Sequence, residues 1–320
     1  MNTSLSRSAA SASVGAAAIL RLFYGLMIDA PEVYNGAWLS ALIGLALTLP
    51  VLWMMKRAAG RPLLLLALLL IIALDAGAMV EATAFSESCV ALNHIPTVVL
   101  ALPLLLAAGR CIWLGGNAIG DSARVWMRSF VPLLALVVVV QAPYYRPMWI
   151  FPILGFGVDG ILRGGVRAAG WMVTLGGAAM TLCEDARFSK VCRRLSVAVV
   201  VATLLILLRL MMAPVMDAAG LSRRVQLDAL LTNGRAPMVL QLPMIAIYFV
   251  GMLHLICFEV WAATALLRRI FPKSKLLISG GMVLLFVILA ALWPVSDIWR
   301  LPALLLAAIP LKREAATCAG

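Results

Sequence analysis

The feature that most constrains this chain is the regular return of long apolar stretches, each of roughly 18 to 30 residues, the length that carries a helix across about 30 Å of hydrocarbon at about 1.5 Å per residue. Short polar breaks separate them. In a lipid environment the backbone of each stretch satisfies its own hydrogen bonds only as a helix, so the chain is expected to be an all-α integral membrane protein with about ten transmembrane helices. Composition agrees: 64% of the 320 residues are hydrophobic, 12% are charged and mean hydropathy is +1.04, more apolar surface than a soluble domain of this size can hide.

The breaks place spans at about Ala10–Asp29, Gly36–Met55, Pro62–Leu92, Pro96–Leu114 and Ser122–Gln141, then at about Gly165–Cys183, Val191–Met212, Pro237–Leu267, Leu276–Trp293 and Ile298–Leu311. Between the fifth and sixth lies a Pro-, Gly- and aromatic-rich connection, 142–164, and a polar insert runs from Asp217 to Arg235. The whole chain, 1–320, reads as one transmembrane domain, with a first repeat over about 10–141 and a second over about 165–312. Five spans per half is an odd number, so the second half must be inverted relative to the first. In transporters of that design substrate binds where the first span of each half is interrupted. The candidate interruptions are Arg21–Gly25 in span one and Thr174–Ala178 in span six; Gly176 and Gly177 serve equally well as close helix-packing residues.

The net charge of +12 would suggest nucleic acid in a soluble chain. Here the basic residues gather at alternate span ends: Arg7, Lys56, Arg57, Arg61, Arg110, Arg124, Arg128, Arg187, Lys190, Arg193, Arg194, Arg268, Arg269, Lys273, Lys275, Lys312 and Arg313 fall on one side, against Arg146, Arg163, Arg167, Arg223, Arg224, Arg235 and Arg300 on the other. By the positive-inside rule both termini are cytoplasmic and no nucleic-acid partner is needed.

Charge within hydrocarbon costs a few kcal/mol or more unless it is paired or faces a cavity, which singles out Arg21, Asp75, Glu81, Arg209, His254 and Glu259. Asp75, Glu81 and His254 lie nearest mid-depth, with Glu259 further toward the inner side. Asp75 and Glu81, six positions apart, point about 120° away from each other, so only one need line a pathway. These three are the candidates for ion or proton coupling, one carboxylate pairing with Arg21 or His254; the competing reading makes them structural pairs between helices. Nothing catalytic is found. The cysteines show no CxxC pair, the histidines His94 and His254 no HExxH spacing, and no Walker-type phosphate loop exists. No enzyme activity, metal or cofactor is expected.

Three segments, in this order, resemble the endospore germination permease family, the B subunits of nutrient germinant receptors: Ala37-Trp-Leu-Ser-Ala-Leu-Ile-Gly44; Pro152-Ile-Leu-Gly-Phe-Gly157 with Ile161-Leu; and Arg235-Ala-Pro through Gln241-Leu-Pro243 to Phe258-Glu-Val-Trp-Ala-Ala263. The resemblance implies a ten-span member of the amino acid–polyamine–organocation superfamily with a leucine-transporter-like 5+5 inverted repeat. It further implies a small nutrient ligand, an amino acid above all, and assembly with membrane A and lipoprotein C subunits in the inner membrane of the spore. Carried over by position, the site is Arg21, Tyr24, Gly25, Thr174, Gly176 and Gly177, faced by Glu81 and Tyr248. A proton- or cation-coupled amino-acid transporter is the alternative, and a scaffold subunit without a ligand the third reading.

Overall fold

The computed structural model describes residues 6–29, 33–58, 60–90, 96–154, 157–183, 188–212, 238–293 and 296–309. The insert at 217–235 and the C-terminal end of the tenth span lie outside them. The described residues form ten helices: α1 (Arg7–Tyr24), α2 (Ala37–Arg57), α3 (Pro62–Val90), α4 (Thr97–Leu114), α5 (Gly116–Gln141), α6 (Val158–Leu182), α7 (Phe188–Met212), α8 (Met238–Ile270), α9 (Leu276–Leu292) and α10 (Arg300–Ala308). Each expected span has its helix. The largest shift is at α6, which starts at Val158, so its first turns lie inside the segment expected to be connection. The rest of that connection holds two 3₁₀ turns, Ala142–Tyr144 and Pro147–Ile150, and is tied down by the Arg146 N–H, which donates to the carbonyl of Met211 at 2.9 Å.

Helix contacts pair off under exchange of the two halves. The α2–α6 packing has its counterpart in α7–α1, α3–α9 in α8–α4, α1–α5 in α6–α10, α3–α4 in α8–α9, α5–α8 in α10–α3 and α1–α8 in α6–α3, while α1–α6, α2–α7, α3–α8 and α4–α9 map onto themselves. Moving every helix five places along the series therefore carries these main contacts onto one another, while the smaller α4–α5, α6–α7, α6–α8 and α2–α10 contacts have no counterpart of similar extent.

Small residues make the tight crossings. On α2, Ser40 and Gly44 face Gly164, Gly165 and Ala168 of α6; a Cβ on Gly44 would stand 2.6 Å from that of Ala168, and one on Gly164 2.7 Å from the Ser40 hydroxyl. The same hydroxyl donates across the interface to the Ile161 carbonyl at 2.9 Å. Gly120 meets Ala9 where α5 crosses α1, and Gly77 meets Ala290 where α3 crosses α9. Elsewhere Thr48, Thr83, Ser86, Thr181 and Thr264 turn their hydroxyls back onto the carbonyl four residues earlier, which satisfies them without water.

Burial separates an inner from an outer set. Of the apolar span at Ser8–Met27, 72% is buried, and of those within α3 and α8, 67%, against 17% for α4 and 18% for α5. The outer helices present Leu102, Leu106, Val131 and Val139 outward, a surface that hydrocarbon accommodates and water would not. Among the described residues seven helices are long and apolar enough to cross a membrane. The α6 helix is not among them: it carries Asp159, Arg163 and Arg167 near its start, yet from Ala168 to Ala179 every residue is buried against protein. A helix enclosed by its neighbours does not need a lipid-soluble exterior.

Candidate functional site

The α1 helix begins at an N-cap, Ser6, whose hydroxyl accepts from the Ala9 N–H, and runs as a continuous helix to Tyr24. At Gly25 it widens into a π turn, Gly25–Asp29. The expected interruption of span one is thus a change of helical pitch, a feature that recurs at functional positions, rather than an unwound segment. Gly25 is required there: a Cβ would fall 2.4 Å from the ring of Trp171 on α6. The expected interruption of span six is absent. The α6 helix passes unbroken through Thr174–Ala178, with the Thr174 hydroxyl donating to the Gly170 carbonyl at 2.7 Å.

One turn before Gly25, Arg21 is completely buried. Its guanidinium stacks on Trp171, 4.2 Å from the ring centroid, and donates from Nε and Nη2 to Asp75 of α3 at 3.1 and 3.0 Å. Nη2 also reaches Asp297, in the turn before α10, at 2.8 Å. Arg300, the first residue of α10, donates to both Asp75 and Asp297. Two guanidiniums and two carboxylates therefore close a ring in which each acid serves both bases. The Trp171 indole N–H adds a bond to Asp297 at 2.9 Å. Asp75 and Arg300 are as buried as Arg21, and only Asp297 keeps measurable exposure, 14% of its side chain. Paired and hydrogen-bonded in this way, four charges can be held away from water.

Glu259 of α8 lies against this ring, within electrostatic reach of Asp75, Arg21 and Arg300. It is fully buried, and its carboxyl group lies within hydrogen-bonding reach of that of Asp75, although neither oxygen makes a bond of good geometry among the described residues. Reading depth from span positions puts Glu259 nearer the inner side than Asp75; the long α3 and α8 helices bring the two together, because straight, perpendicular helices are a poor ruler for tilted ones.

Of the residues expected at the site, the structure brings together Arg21, Asp75 and Gly25, with Tyr24 fully buried beside them. Glu81 is partly exposed further along α3. Gly176 packs on Leu52 and Leu195, and Gly177 on Met55 and Leu68, which is the helix-packing role. Tyr248 is partly exposed and about 16 Å along α8 from Glu259, too far to face the ring. His254 is buried at a separate junction, its Nδ1 3.1 Å from the Ser122 hydroxyl of α5. Four participants were not anticipated from sequence: Trp171, Asp297, Arg300 and, as a site residue, Glu259. Arg300 counts there as an outer loop charge. The available signal was the Asp297–Arg300 pair, an i, i+3 spacing at the start of a span.

The fold is that of MhsT. Its crystal structure in complex with L-phenylalanine matches with a TM-score of 0.65 at 14% identity, covering 95% of this chain and 88% of that one. At that identity the likeness is one of fold, and it shows the all-α, leucine-transporter-like architecture; the long apolar helices are what make it a multi-pass membrane protein. No protein-family model matches the sequence, and no curated protein does.

Proposed function

We propose that this chain binds an amino acid at the ring where α1, α3, α6, α8 and α10 meet, in the manner of a permease. The observation that carries this reading is the asymmetry of the ring. Asp75 is sealed in, whereas Asp297 is the one carboxylate of the ring with exposure and sits in the turn before α10. An incoming carboxylate has the chemistry of the Asp297 side chain and can take its place on Arg21 and Arg300 without changing the local charge. The closed ring is then the unliganded state, with Asp297 as a built-in occupant that ligand must displace. Binding therefore shifts a conformational equilibrium. That a protein of the same fold holds L-phenylalanine supports an amino acid as the ligand class. Tyr24 and Gly25 flank the place the ligand would enter, and Thr174 lies one turn from Trp171 on α6.

The three ordered segments that resemble the germination permeases support a finer role: a nutrient-sensing subunit whose occupancy is read by A and C partners and triggers spore germination, with both termini cytoplasmic. The alternative is a proton- or cation-coupled amino-acid transporter. Thermal-shift screening of the purified chain against amino acids, nucleosides and sugars tests the binding claim. A rise with amino acids alone is expected, and no rise from any amino acid, with the protein folded, overturns it. Gradient-driven uptake by the isolated chain in proteoliposomes would decide for the transporter; binding without uptake would decide for the sensor.

A further inference from the structure

Glu259 is the one member of the cluster that the ring leaves over. Among the described residues Arg21 and Arg300 are balanced by Asp75 and Asp297, and every one of those groups has its partner. An ionised Glu259 would be a third negative charge against two positive ones, at a position with no exposure and no hydrogen-bond donor to its oxygens. A buried charge in that condition is among the most costly features a fold can carry. Among the described residues, the buried charged and titratable groups of the elements around it are Arg21 and Tyr24 of α1, Asp75 of α3, Arg300 of α10 with the slightly exposed Asp297 before it, and Cys257 and His254 of its own helix, His254 about 7.5 Å along the axis. The α6 helix contributes the Trp171 indole; its Asp159 and Arg163 pair with each other at the exposed end. The α9 helix has no charged residue, and Arg110, Asp121, Arg124 and Arg128 of α4 and α5 are exposed.

We propose that Glu259 holds a proton while the ring is closed and exchanges it for the α-ammonium group of the bound amino acid. This rests on the binding reading above and assigns the second half of the ligand. In the closed state two guanidiniums face two carboxylates, and Glu259 is a neutral acid. When the zwitterion enters, its carboxylate replaces that of Asp297, which leaves ionised. The Glu259 O–H bond breaks, its electron pair stays on the carboxylate, and its proton passes to solvent. The site then holds two guanidiniums and one ammonium against Asp75, Glu259 and the ligand carboxylate, again in balance. Exchange at Glu259 requires an α-ammonium, so carboxylic acids lacking it would leave the proton in place. The coupling group is Glu259, since Asp75 is committed to two arginines.

Infrared difference spectroscopy on the whole chain in lipid nanodiscs tests this in two stages. In the absence of amino acid, the wild-type protein should show a protonated-carboxyl band that Glu259→Gln abolishes; the glutamine is a neutral isostere of the state proposed and should fold. A wild-type spectrum without that band overturns the proposal, whether or not amino acids bind. If the melting temperature then rises with sodium, the surplus charge belongs to an inorganic cation. In the second stage the panel of L-amino acids and their deaminated analogues is added. Any amino acid that binds should remove the band and release about one proton per molecule bound, read as buffer-dependent calorimetric heat, and its deaminated analogue should do neither. A band that persists at saturation overturns the exchange. A band present with no amino acid bound refutes the exchange together with the binding reading and leaves Glu259 a protonated core acid.

Discussion

Removing the acid that both arginines share should expose how the cluster is held together. In Asp75→Asn the guanidiniums of Arg21 and Arg300 lose the carboxylate they share and still have Asp297, and stripping a partner from a buried pair typically costs about 3–5 kcal/mol. Glu259, lying against Asp75, can relieve part of that loss by giving up its proton and serving the freed donors. The single Asp75→Asn variant should therefore lose less than this full cost. Glu259→Gln alone, which replaces a neutral acid by a neutral amide that can still donate to Asp75, should change stability by no more than about 0.5–1.5 kcal/mol. The double variant has no rescue and should show the full ~3–5 kcal/mol, so the two substitutions should be non-additive by about 0.5–3 kcal/mol. Reversible unfolding from dodecyl maltoside into sodium dodecyl sulfate measures all three, with Leu106→Ala, at a side chain 74% exposed, as the lipid-facing control. Additivity within about 0.5 kcal/mol, or a Glu259→Gln cost as large as that of Asp75→Asn, would refute the reasoning.

The helix crossings and the site make further predictions. Gly77→Ala should destabilise by about 1–3 kcal/mol, because its Cβ would fall 2.5 Å from that of Ala290 and 2.8 Å from the backbone N of Ala291, whereas Gly281→Ala, with nothing within 4 Å, should be neutral or stabilising by up to about 1 kcal/mol in the same unfolding assay. Trp171→Phe keeps a ring beneath Arg21 but deletes the donor to Asp297, and should cost about 1.5–3 kcal/mol; a cost indistinguishable from zero would remove the indole from the network. In a background with the six native cysteines replaced, a cysteine at Phe151 should react with membrane-impermeant maleimide from outside intact cells and one at Lys273 only after lysis, and the reverse pattern would invert the topology.

The spans were legible because lipid imposes one requirement on all of them, and Pro96, the Lys273–Lys275 turn and the Arg57–Arg61 break interrupt the apolar runs where helices end. The start of α6 was not, since Val158–Gly164 carries Asp159 and Arg163 and reads as loop; a helix buried among others has no lipid-facing side to reveal it. Arg21 and Asp75 stood out as charges in apolar runs, and the structure joins them. Asp297 and Arg300 did not, because a charged pair next to a span end reads as solvated until the fold tucks it inward. Thr174, Gly176 and Gly177 drew attention as a polar, glycine-rich interruption, but a threonine that bonds its own helix and glycines that receive leucine and methionine side chains satisfy the same pattern. Sequence marks where a helix can be broken or closely approached; only packing decides which.

The central claim, that an amino-acid carboxylate competes with Asp297 for Arg21 and Arg300, is tested most directly by measuring amino-acid affinity in Asp297→Asn beside the wild type. Weakening the built-in occupant enlarges the binding-competent fraction, so the account predicts tighter binding in the variant by the factor in which that fraction grows. Binding that is unchanged or weaker in Asp297→Asn, with the variant shown to be folded, would contradict it.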